Sequence, residues 1–422
     1  MTEPDSATPT EAATTEPATI ERVADDPASR PCIGLLPARH KRLETSHPWI
    51  YSNEVRMDEA ARAQAPGTLV TLRRADGTGF GVAIFNPHSL IAARLLDRDP
   101  DRVISSRFFV RRIERALRLR EQLFEEPFYR LVHAEADGLP GLVVDRFDDV
   151  LVVQSNAAGM ARAEPLILES LGAVFGPRAI VLRNDSPARA QEGLLPEVRL
   201  AAGAVGSRPL LRENGSVFPF DPLAGQKTGW FFDQRRNRAF ISALAKSGAR
   251  VLDLYCYTGG FAVQAACAGA GAVVGIDRSE AALALAREAA VLNGVDDRCI
   301  FRRGEAFAEA ERLAIDHERF EIVIADPPAF AKSRKEVPAA LRGYRKLARL
   351  AAGLTARNGF LFLASCSYNI GATEFADAVR RGLADAGREG RLIRTAGAGP
   401  DHPVHPALPE TAYLKSATLS LD

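Results

Sequence analysis

Residues 250–261 have the sequence Arg-Val-Leu-Asp-Leu-Tyr-Cys-Tyr-Thr-Gly-Gly-Phe and set the architecture of the C-terminal half of the chain. An apolar run leads into a turn with the glycine pair Gly259-Gly260, and the alanine-rich residues 262–270 predict a helix. Strand, tight turn and helix in this order form the floor of a nucleotide-like site at the carboxyl edge of a doubly wound sheet. The glycines do not follow Gly-x-Gly-x-x-Gly, so the segment does not indicate a dinucleotide pyrophosphate site.

The residues after this segment alternate between strand and helix patterns, which predicts a parallel α/β sheet. Ligands of such sheets bind beyond the carboxyl ends of the strands. The polar residues at the predicted strand ends are Asp253, Asp277, Asp326 and Cys366. Each carboxylate could also be a helix cap or a turn former. Several polar groups at neighbouring strand ends nevertheless indicate one site.

The chain of 422 residues is too long for a single core. Residues 1–30 are rich in Thr, Ala, Pro and acids, and we predict that they form a disordered tail. Short strands separated by turns predict a small β-rich domain over residues 31–105. Mixed strand and helix patterns predict an α+β middle domain over 106–224, and the α/β domain then spans 225–422.

The composition excludes some classes of protein. No apolar run approaches the roughly 18 residues that span a bilayer, and the N-terminus lacks the basic start and apolar core of an export signal. Five scattered cysteines without Cys-x-x-Cys pairs favour a reducing cytoplasm and argue against structural zinc, so we predict no metal site. The net charge is +1, but residues 1–30 hold seven acids and two bases, so the remainder is more positive and compatible with a polyanionic partner.

The strand-end carboxylates suggest S-adenosylmethionine as the cofactor. Asp277 lies 24 residues after Asp253, a suitable place to accept both hydroxyls of a ribose. S-adenosylmethionine has ribose hydroxyls but no phosphates, which explains why the glycine pattern need not match the pyrophosphate fingerprint. Glu305, which follows the next short strand, could accept the adenine amino group.

Asp326-Pro327-Pro328 is the most specific short motif, because its prolines fix the backbone beside the carboxylate. Amino-group methyltransferases use a similar motif with an aromatic residue directly after it, whereas Ala329 intervenes here. Cys366 favours another reaction, since a thiolate that adds to C6 of cytosine makes C5 nucleophilic enough to take a methyl group. Asp326 would then hold N3 and N4 of the base. A buried structural cysteine is the alternative for Cys366, and Cys256 is a rival nucleophile whose loop should face the cofactor.

Two basic segments are candidates for RNA contacts, one ahead of the first strands and one after the Asp-Pro-Pro motif. Basic residues beside aromatic ones can bind phosphates and stack on bases. The candidates are Arg39, Lys41, Arg42 and Trp49 in the first segment and Lys332, Arg334 and Lys335 in the second. A solvated surface loop is the alternative for both segments.

Six motifs together give the chain a specific resemblance. They are His47-Pro48-Trp49-Ile50, Gly225-Gln226-Lys227-Thr228-Gly229-Trp230-Phe231-Phe232-Asp233-Gln234-Arg235, residues 253–261, Asp326-Pro327-Pro328, Ser365-Cys366-Ser367 and Pro409-Glu410-Thr411-Ala412-Tyr413-Leu414-Lys415. With these motifs the chain resembles the bacterial large-subunit ribosomal RNA cytosine-5 methyltransferases that carry an N-terminal PUA domain. The resemblance extends from about Cys32 to the end of the chain.

The resemblance implies a C-terminal Rossmann-like class I methyltransferase domain, preceded by a small β-rich PUA domain that binds RNA and by the α+β middle domain. The cofactor contacts predicted with it are Lys227, Thr228, Phe231, Phe232, Gln234, Asp253, Tyr255, Cys256, Thr258, Gly259, Gly260, Asp277, Arg278, Glu305 and Asp326. Ala329 stands where other RNA cytosine-5 methyltransferases place a second cysteine that assists release, so the base that removes the C5 proton is unidentified. Glu305 stands where an Asp is common.

We therefore expect S-adenosylmethionine-dependent methylation of cytosine C5 in large-subunit ribosomal RNA, with Cys366 as the nucleophile and Asp326 positioning the base. The expected product is 5-methylcytosine, formed in the cytoplasm. One alternative is a guanine or exocyclic-amino RNA methyltransferase on the same scaffold. Relatives that methylate guanine lack the Ser-Cys-Ser cysteine, so the choice of target base depends largely on Cys366. Another is a non-catalytic RNA-binding assembly factor. No membrane partner is expected, and the sequence leaves a homodimer open.

Overall fold

The structure, a computed structural model, describes residues 25–37 and 41–422. These residues fold into a small β domain, a middle α+β domain and a larger α/β domain, which confirms the predicted fold class. The predicted RNA contact Arg39, the side chain of Lys41 and the predicted tail up to residue 24 lie outside the described residues. Within the described ranges, no helix combines the length and apolarity needed to cross a membrane.

The small β domain is one mixed sheet with the strand order β1-β3-β4-β5-β2. Its elements are β1 (Cys32–Gly34), α1 (Lys41–Glu44), β2 (Trp49–Ile50), α2 (Glu59–Arg62), β3 (Thr68–Arg73), β4 (Gly79–Phe85) and β5 (Ala93–Asp97). β1 runs parallel to β3, and the other pairs are antiparallel. Buried apolar side chains such as Ile33, Val70 and Phe85 form its core.

Residues 25–30 belong to the folded part of the chain. The buried Arg30 donates from Nε to Asp25 Oδ1 at 2.7 Å and from Nη1 to the Pro100 carbonyl at 3.0 Å. Asp25 in turn accepts from the amide of Ile104 at 2.6 Å. The prediction of disorder up to residue 30 is therefore wrong for these six residues, because a buried ion pair fixes a segment that has almost no apolar side chains.

The middle domain combines an amphipathic helix and three shorter helices with a sheet of the order β10-β9-β8-β7-β6. Its elements are α3 (Ser106–Leu123), β6 (Phe128–His133), β7 (Leu142–Phe147), β8 (Val150–Ser155), α4 (Ala158–Arg162), α5 (Glu164–Phe175), β9 (Ala179–Asn184), α6 (Ala188–Gln191) and β10 (Glu197–Gly203). In α3, Phe109 and Ile113 are buried at helical spacing, whereas Arg111 and Arg118 are exposed.

Buried ion pairs hold the small β domain against the middle domain. Arg94 of β5 donates to Glu135 at 3.1 Å and to Glu192 at 2.9 Å. The indole Nε1 of Trp49 donates to the same oxygen of Glu135 at 2.7 Å. Asn86 completes the contact through a 3.1 Å bond to Glu192. Because these groups are largely withdrawn from water, the pairing requires one fixed placement of the two domains.

The α/β domain contains the sheet that the segment 250–261 predicts. A hairpin of β11 (Leu210–Glu213) and β12 (Ser216–Pro219) precedes it, closed by Asn214-Gly215 with positive φ at both residues. The elements that follow are α7 (Arg235–Leu244), β13 (Arg250–Leu254), α8 (Gly260–Cys267), β14 (Ala272–Asp277), α9 (Glu280–Leu292), β15 (Cys299–Arg303), α10 (Ala306–Ile315), β16 (Phe320–Ala325), α11 (Val337–Leu354), β17 (Thr355–Ser365), α12 (Ala372–Asp385), β18 (Gly390–Ala396) and β19 (Lys415–Leu421).

The strand order of this sheet is β15-β14-β13-β16-β17-β19-β18. β13 pairs in parallel with β14 on one side and with β16 on the other, so the order reverses next to β13. Such a reversal opens a crevice beyond the carboxyl ends of the strands. β18 and β19 form the closing antiparallel pair.

Glu213, at the end of β11, joins the hairpin to the helices behind this crevice. Its fully buried carboxylate accepts from Arg238 Nε at 2.6 Å and from the indole Nε1 of Trp230 at 3.0 Å. Gln264 of α8 and Arg235 of α7 donate to the same carboxylate at 3.2 Å and 3.4 Å. A single buried charge thus fixes α7 and α8 relative to the hairpin.

We expect Glu213→Gln to lower the free energy of unfolding by about 3–5 kcal/mol, because the change leaves the buried guanidinium of Arg238 without its charge partner. Urea unfolding followed by the fluorescence of Trp230, which contacts Glu213, measures the loss. Glu197→Gln is the matched control, since Glu197 pairs with Arg199 on the surface and should contribute less than about 0.5 kcal/mol. Equal losses in both variants would contradict the role of Glu213.

Candidate active site

A cavity of about 700 Å³ opens at the carboxyl ends of β13, β14, β16 and β17. The predicted site residues that line it are Lys227, Phe231, Gln234, Tyr255, Cys256, Thr258, Gly260, Asp277, Arg278, Asp326 and Cys366. A larger cavity of about 1100 Å³ lies between α12 and the β18–β19 pair, but its lining is mostly apolar and contains none of these residues. The chemistry therefore belongs to the smaller cavity.

The turn between β13 and α8 forms the floor of this cavity. Tyr255, Tyr257 and Gly259 all have positive φ, which gives the turn its sharp curvature. A Cβ on Gly260 would lie 3.1 Å from Arg238 Cδ and 3.2 Å from the Trp230 ring, so a larger residue would require these side chains to shift by a few tenths of an ångström. The segment thus brings main chain close to the cavity.

Asp277 braces the floor and faces the same cavity. Its Oδ2 accepts from the amide of Tyr257 at 3.0 Å, and its Oδ1 accepts from the amide of Ser279 at 2.8 Å. The carboxylate therefore fixes the turn after β13 to the start of α9. Each oxygen retains a second lone pair, which can accept from a ligand hydroxyl.

Some predicted cofactor contacts do not line the cavity; they are Thr228, Phe232, Asp253, Gly259 and Glu305. Phe232 packs in the core against Phe147, and Gly259 is the left-handed residue before α8. Glu305 is exposed and accepts from the amide of Ala308 at 3.0 Å, so it caps α10. Its neighbours Gly304 and Ala306 line the cavity in its place.

Asp253 is a buried carboxyl group below the floor. Its Oδ2 accepts from the amide of Ala262 at 3.1 Å, whereas no side chain or amide of the described residues bonds to Oδ1. Burial, and then the charge of Asp326, raise the pKa of Asp253 well above its usual value. Burial therefore favours the protonated form of this carboxyl group, which links β13 to α8.

Asp326 follows β16 and is held by a short relay of amides. Gln234 Nε2 donates to Asp326 Oδ2 at 2.9 Å, and Asn237 Nδ2 donates to Gln234 Oε1 at 2.6 Å. Burial and the neighbouring charge of Asp233 raise the pKa of Asp326 to about 7, although the bond from Gln234 acts in the opposite direction. Near neutral pH this carboxyl group can therefore donate as well as accept a hydrogen bond.

Cys366 follows β17, the strand that pairs with β16, and is half-buried. Its Sγ lies 3.9 Å from the carbonyl oxygen of Pro327, so the thiol is next to the Asp-Pro-Pro turn. Burial and the charge of Asp326 raise the pKa of Cys366 to about 11, whereas Lys227 lowers it. The rival Cys256 is buried, and burial raises the pKa of its thiol well above the usual value.

Ser367 and Lys415 hold the loop that carries Cys366. The Ser367 hydroxyl bonds to Tyr344 Oη at 3.0 Å and accepts from the amide of Ala331 at 3.3 Å. Lys415 Nζ donates to the carbonyls of Ser367 and Ile370 at 2.7 and 2.6 Å. The cysteine is thereby fixed on a rigid loop.

The cavity lining also includes residues that the sequence patterns do not mark as cofactor contacts; they include Gln226, Trp230, Asp233, Arg238, Tyr257 and Tyr413. All of them except Arg238 lie within the motifs quoted above. Arg238 stacks over the Trp230 ring at 4.7 Å and donates to the Phe231 carbonyl at 2.6 Å. Only its tertiary position shows that it belongs to the site.

The predicted RNA contacts within the described residues lie in two places. Arg42 donates to Glu54 at 2.7 Å and stacks over Tyr51 at 4.5 Å, and Trp49 bonds to the middle domain. The side chains of Lys332, Arg334 and Lys335 are exposed on the loop after the Asp-Pro-Pro motif. The loop begins directly after Pro328 and Ala329, which line the cavity.

Comparison with known proteins agrees with this site. Residues 202–385 match an S-adenosylmethionine-dependent methyltransferase family, and residues 33–98 match a PUA-like domain family. The methyltransferase match begins before the predicted domain boundary at residue 225 and includes the hairpin of Glu213.

Relatives of similar length are known. The ribosomal RNA large subunit methyltransferase I of Shewanella denitrificans is 36% identical over 388 residues, which cover 91% of this chain and 97% of that protein. The protein of the same name from Aeromonas hydrophila is 35% identical over 389 residues, with the same coverage. A Streptococcus mutans protein described as an S-adenosylmethionine-dependent methyltransferase is 19% identical and shares the fold, with a TM-score of 0.77 over 92% of this chain and 100% of that chain.

The chain is thus an S-adenosylmethionine-dependent methyltransferase with an N-terminal PUA-like domain. It belongs to the family of ribosomal RNA large subunit methyltransferase I.

The residues of the cavity fit the cofactor. The carboxylates of Asp233, Asp277 and Asp326 line a space that no phosphate-binding glycine loop approaches, which suits a ligand with positive charge and ribose hydroxyls. When bound, S-adenosylmethionine supplies a methyl group on a positively charged sulfur. Asp277 would accept from its ribose hydroxyls, and Phe231 and Tyr255 would offer aromatic surface.

We expect Asp326→Asn to stabilise the protein at pH 8 but not at pH 4. The raised pKa means that the folded state binds a proton between the unfolded pKa near 4 and about 7, so the carboxyl group lowers stability progressively as the pH rises through this window. Melting temperatures of the two proteins should therefore diverge as the pH rises through this window and differ by a few °C at pH 8. Asp297→Asn, at an exposed carboxylate, is the control and should change the melting temperature little at any pH. A constant difference for Asp326→Asn at all pH values would contradict the raised pKa.

Proposed function

We propose that this protein transfers a methyl group from S-adenosylmethionine to C5 of a cytosine in large-subunit ribosomal RNA, through a covalent adduct with Cys366. The observation that carries the proposal is the placement of Cys366 and Asp326 at the ends of adjacent strands, in the cavity that the cofactor residues line. The names of the relatives support ribosomal RNA of the large subunit as the substrate.

The order of events follows from the chemistry of the two side chains. The Cys366 thiolate adds to C6 of the cytosine while Asp326 donates its proton to N3, which makes C5 an enamine carbon. C5 then takes the methyl group. Loss of the C5 proton and departure of the sulfur restore the aromatic ring, and the proton on N3 returns to Asp326.

The electrostatics of the cavity support these roles. Asp326 has a pKa of about 7 and is partly protonated at neutral pH, as a hydrogen-bond donor to N3 must be. Cys366 has a pKa of about 11, so the resting thiol is protonated. Lys227 lines the cavity and lowers the pKa of Cys366, so it favours the thiolate.

We further propose that the PUA-like domain and the loop after the Asp-Pro-Pro motif hold the RNA. Lys332, Arg334 and Lys335 are exposed beside the cavity and can bind phosphates. Arg42 and Trp49 contribute from the small β domain, where both already have protein partners that fix them.

A methyltransferase that acts on an exocyclic amine or on guanine is the main rival, because the Asp-Pro-Pro motif alone suits that reaction too. Such a reaction needs no thiol, whereas attack from cytosine C5 does, since this carbon is a poor nucleophile until C6 is saturated. The two reactions therefore differ in their dependence on Cys366.

We expect Cys366→Ala to lower methyl transfer to unmodified ribosomal RNA by at least about 10³-fold, as loss of a covalent nucleophile does. Incorporation of labelled methyl groups, with mass mapping of 5-methylcytosine, measures the effect. Cys267→Ala is the matched control, because Cys267 is exposed and does not line the cavity. Full activity of Cys366→Ala would exclude the covalent reaction and favour the rival.

We expect the single-turnover rate at limiting RNA to rise about tenfold per pH unit below pH 7 and to level off between pH 7 and about 10. Below pH 7 the thiolate fraction of Cys366 grows while Asp326 stays protonated, and above pH 7 the growing thiolate fraction is offset by deprotonation of Asp326. In Asp326→Asn, which cannot titrate, the rate should continue to rise above pH 7. A wild-type profile that rises without a break near pH 7 would contradict the role of Asp326 as donor.

A further inference from the structure

The proposed reaction needs a base that removes the C5 proton, and the inference below rests on that reaction. The described carboxylates that line the cavity are Asp233, Asp277 and Asp326. Asp277 already accepts two backbone amides, and Asp326 is needed as the donor to N3. Ala329, which lines the cavity after Asp326-Pro327-Pro328, has no group that can take a proton.

Asp233 differs from the other two carboxylates in its contacts. It lies in the single helical turn Phe232–Gln234 and is buried, with 5% of its surface exposed. Oδ2 accepts from Tyr413 Oη at 2.5 Å, whereas Oδ1 is buried and has no partner among the described residues. The amide of Gly399 fixes the backbone carbonyl of Asp233 at 3.1 Å. A buried oxygen without a donor leaves this carboxylate free to accept from a ligand.

The surroundings of Asp233 keep it ionised. Burial alone would raise its pKa, but His402, Lys227 and the hydrogen bond from Tyr413 together hold the pKa of Asp233 below its usual value. The charge of Asp233 also contributes to the raised pKa of the Cys366 thiol. Both side chains line the same cavity, and Lys415, two residues after Tyr413, pairs with Ser365 next to Cys366.

The position beside the sulfur matters for the stereochemistry of the reaction. Once the sulfur occupies one face of the ring at C6, the methyl group reaches C5 from the opposite face. The C5 hydrogen is then displaced to the face of the sulfur. A base that serves this hydrogen must lie on the same side as Cys366.

We propose that Asp233 is the base that removes the C5 proton, with Tyr413 as the residue that positions it. The C5–H electron pair forms the C5=C6 bond, the C6–Sγ bond breaks, and its electron pair leaves on Cys366 as the thiolate. The proton passes to Oδ1 of Asp233 and from there to water, while Tyr413 stays bonded to Oδ2.

Asp233→Asn tests the proposal, because it should separate methyl transfer from release. We expect the methyl group to reach the RNA in the first turnover while the sulfur remains attached, so that a labelled protein–RNA complex survives denaturing electrophoresis. Steady-state turnover should fall by about 10²–10⁴-fold. In the double variant with Cys366→Ala the complex should be absent.

RNA that contains 5-fluorocytosine distinguishes failure of the proposed function from failure of this inference. Fluorine cannot leave C5 as a cation, so wild-type protein should be trapped on this RNA if the covalent reaction occurs. If wild type is not trapped, the covalent reaction itself is wrong. If wild type is trapped on fluorinated RNA but Asp233→Asn forms no complex on ordinary RNA, only the role of Asp233 is overturned. A raised KM for S-adenosylmethionine without any complex would also overturn it, and would assign Asp233 to cofactor binding.

Tyr413→Phe provides a second test that does not remove the carboxylate and serves if Asp233→Asn fails to fold. Loss of the hydroxyl removes a hydrogen-bond donor to Asp233, so the pKa of Asp233 should rise. The acidic limb of the pH profile of product release should then move to higher pH. Tyr368→Phe is the matched control, since Tyr368 is exposed, lies two residues after Cys366 and does not line the cavity. An unchanged pH profile for release in Tyr413→Phe would contradict the proposal.

Discussion

The buried carboxylate of Glu213 is the interaction on which the cofactor site depends. Without it, the guanidinium of Arg238 would have no charge partner in a region closed to water. Because Arg238 and Trp230 both face the cavity, a shift of the hairpin would move two of its walls at once. The hairpin lies outside the main sheet, yet through one charge it sets the shape of the site. A buried ion pair of this kind stabilises one arrangement more than it stabilises the fold in general.

The cavity brings several carboxylates close together, where their negative charges repel one another. Asp233, Asp277 and Asp326 line it together, and Asp253 lies directly beneath. Burial, and then repulsion between neighbouring carboxylates, raises the pKa of Asp326 and Asp253, which favours the protonated form of each. A cationic ligand relieves the same repulsion without protonation. Selectivity for a positively charged cofactor therefore follows from carboxylates that the fold forces together.

The sequence predicted the features that depend on local pattern. Strand ends follow from short apolar runs, and Asp277, Asp326 and Cys366 were predicted at one edge because parallel strands end together. The pattern could not separate a ligand contact from a helix cap, since both place a carboxylate after a strand, and Glu305, a predicted adenine contact, also accepts from the amide of Ala308 at the start of α10. The spacing of apolar residues predicts helices and strands, but it does not show which charged side chains form ion pairs.

Contacts between distant parts of the chain escaped prediction for that reason. Glu213 pairs with a residue 25 positions away, and no motif marks either partner. The sequence marks Tyr413 only as part of a motif, and its hydrogen bond to Asp233 joins residues 180 positions apart. Residues 25–30 look featureless in composition, yet one buried arginine anchors them.

The ion pairs of Arg94 fix the distance between the small domain and the rest of the chain. Glu135 and Glu192 of the middle domain hold Arg94, which lies on one strand of the PUA-like sheet. A rotation of the small domain would leave these charges without partners in an interface that excludes most water. The middle domain is tied in turn to the loop after β18 by Arg120, which bonds to the carbonyl of Asp401 at 2.9 Å. The small domain, the middle domain and the α/β domain are therefore held at fixed distances from one another. A substrate that contacts both the PUA-like domain and the active site must therefore match the fixed distance between them.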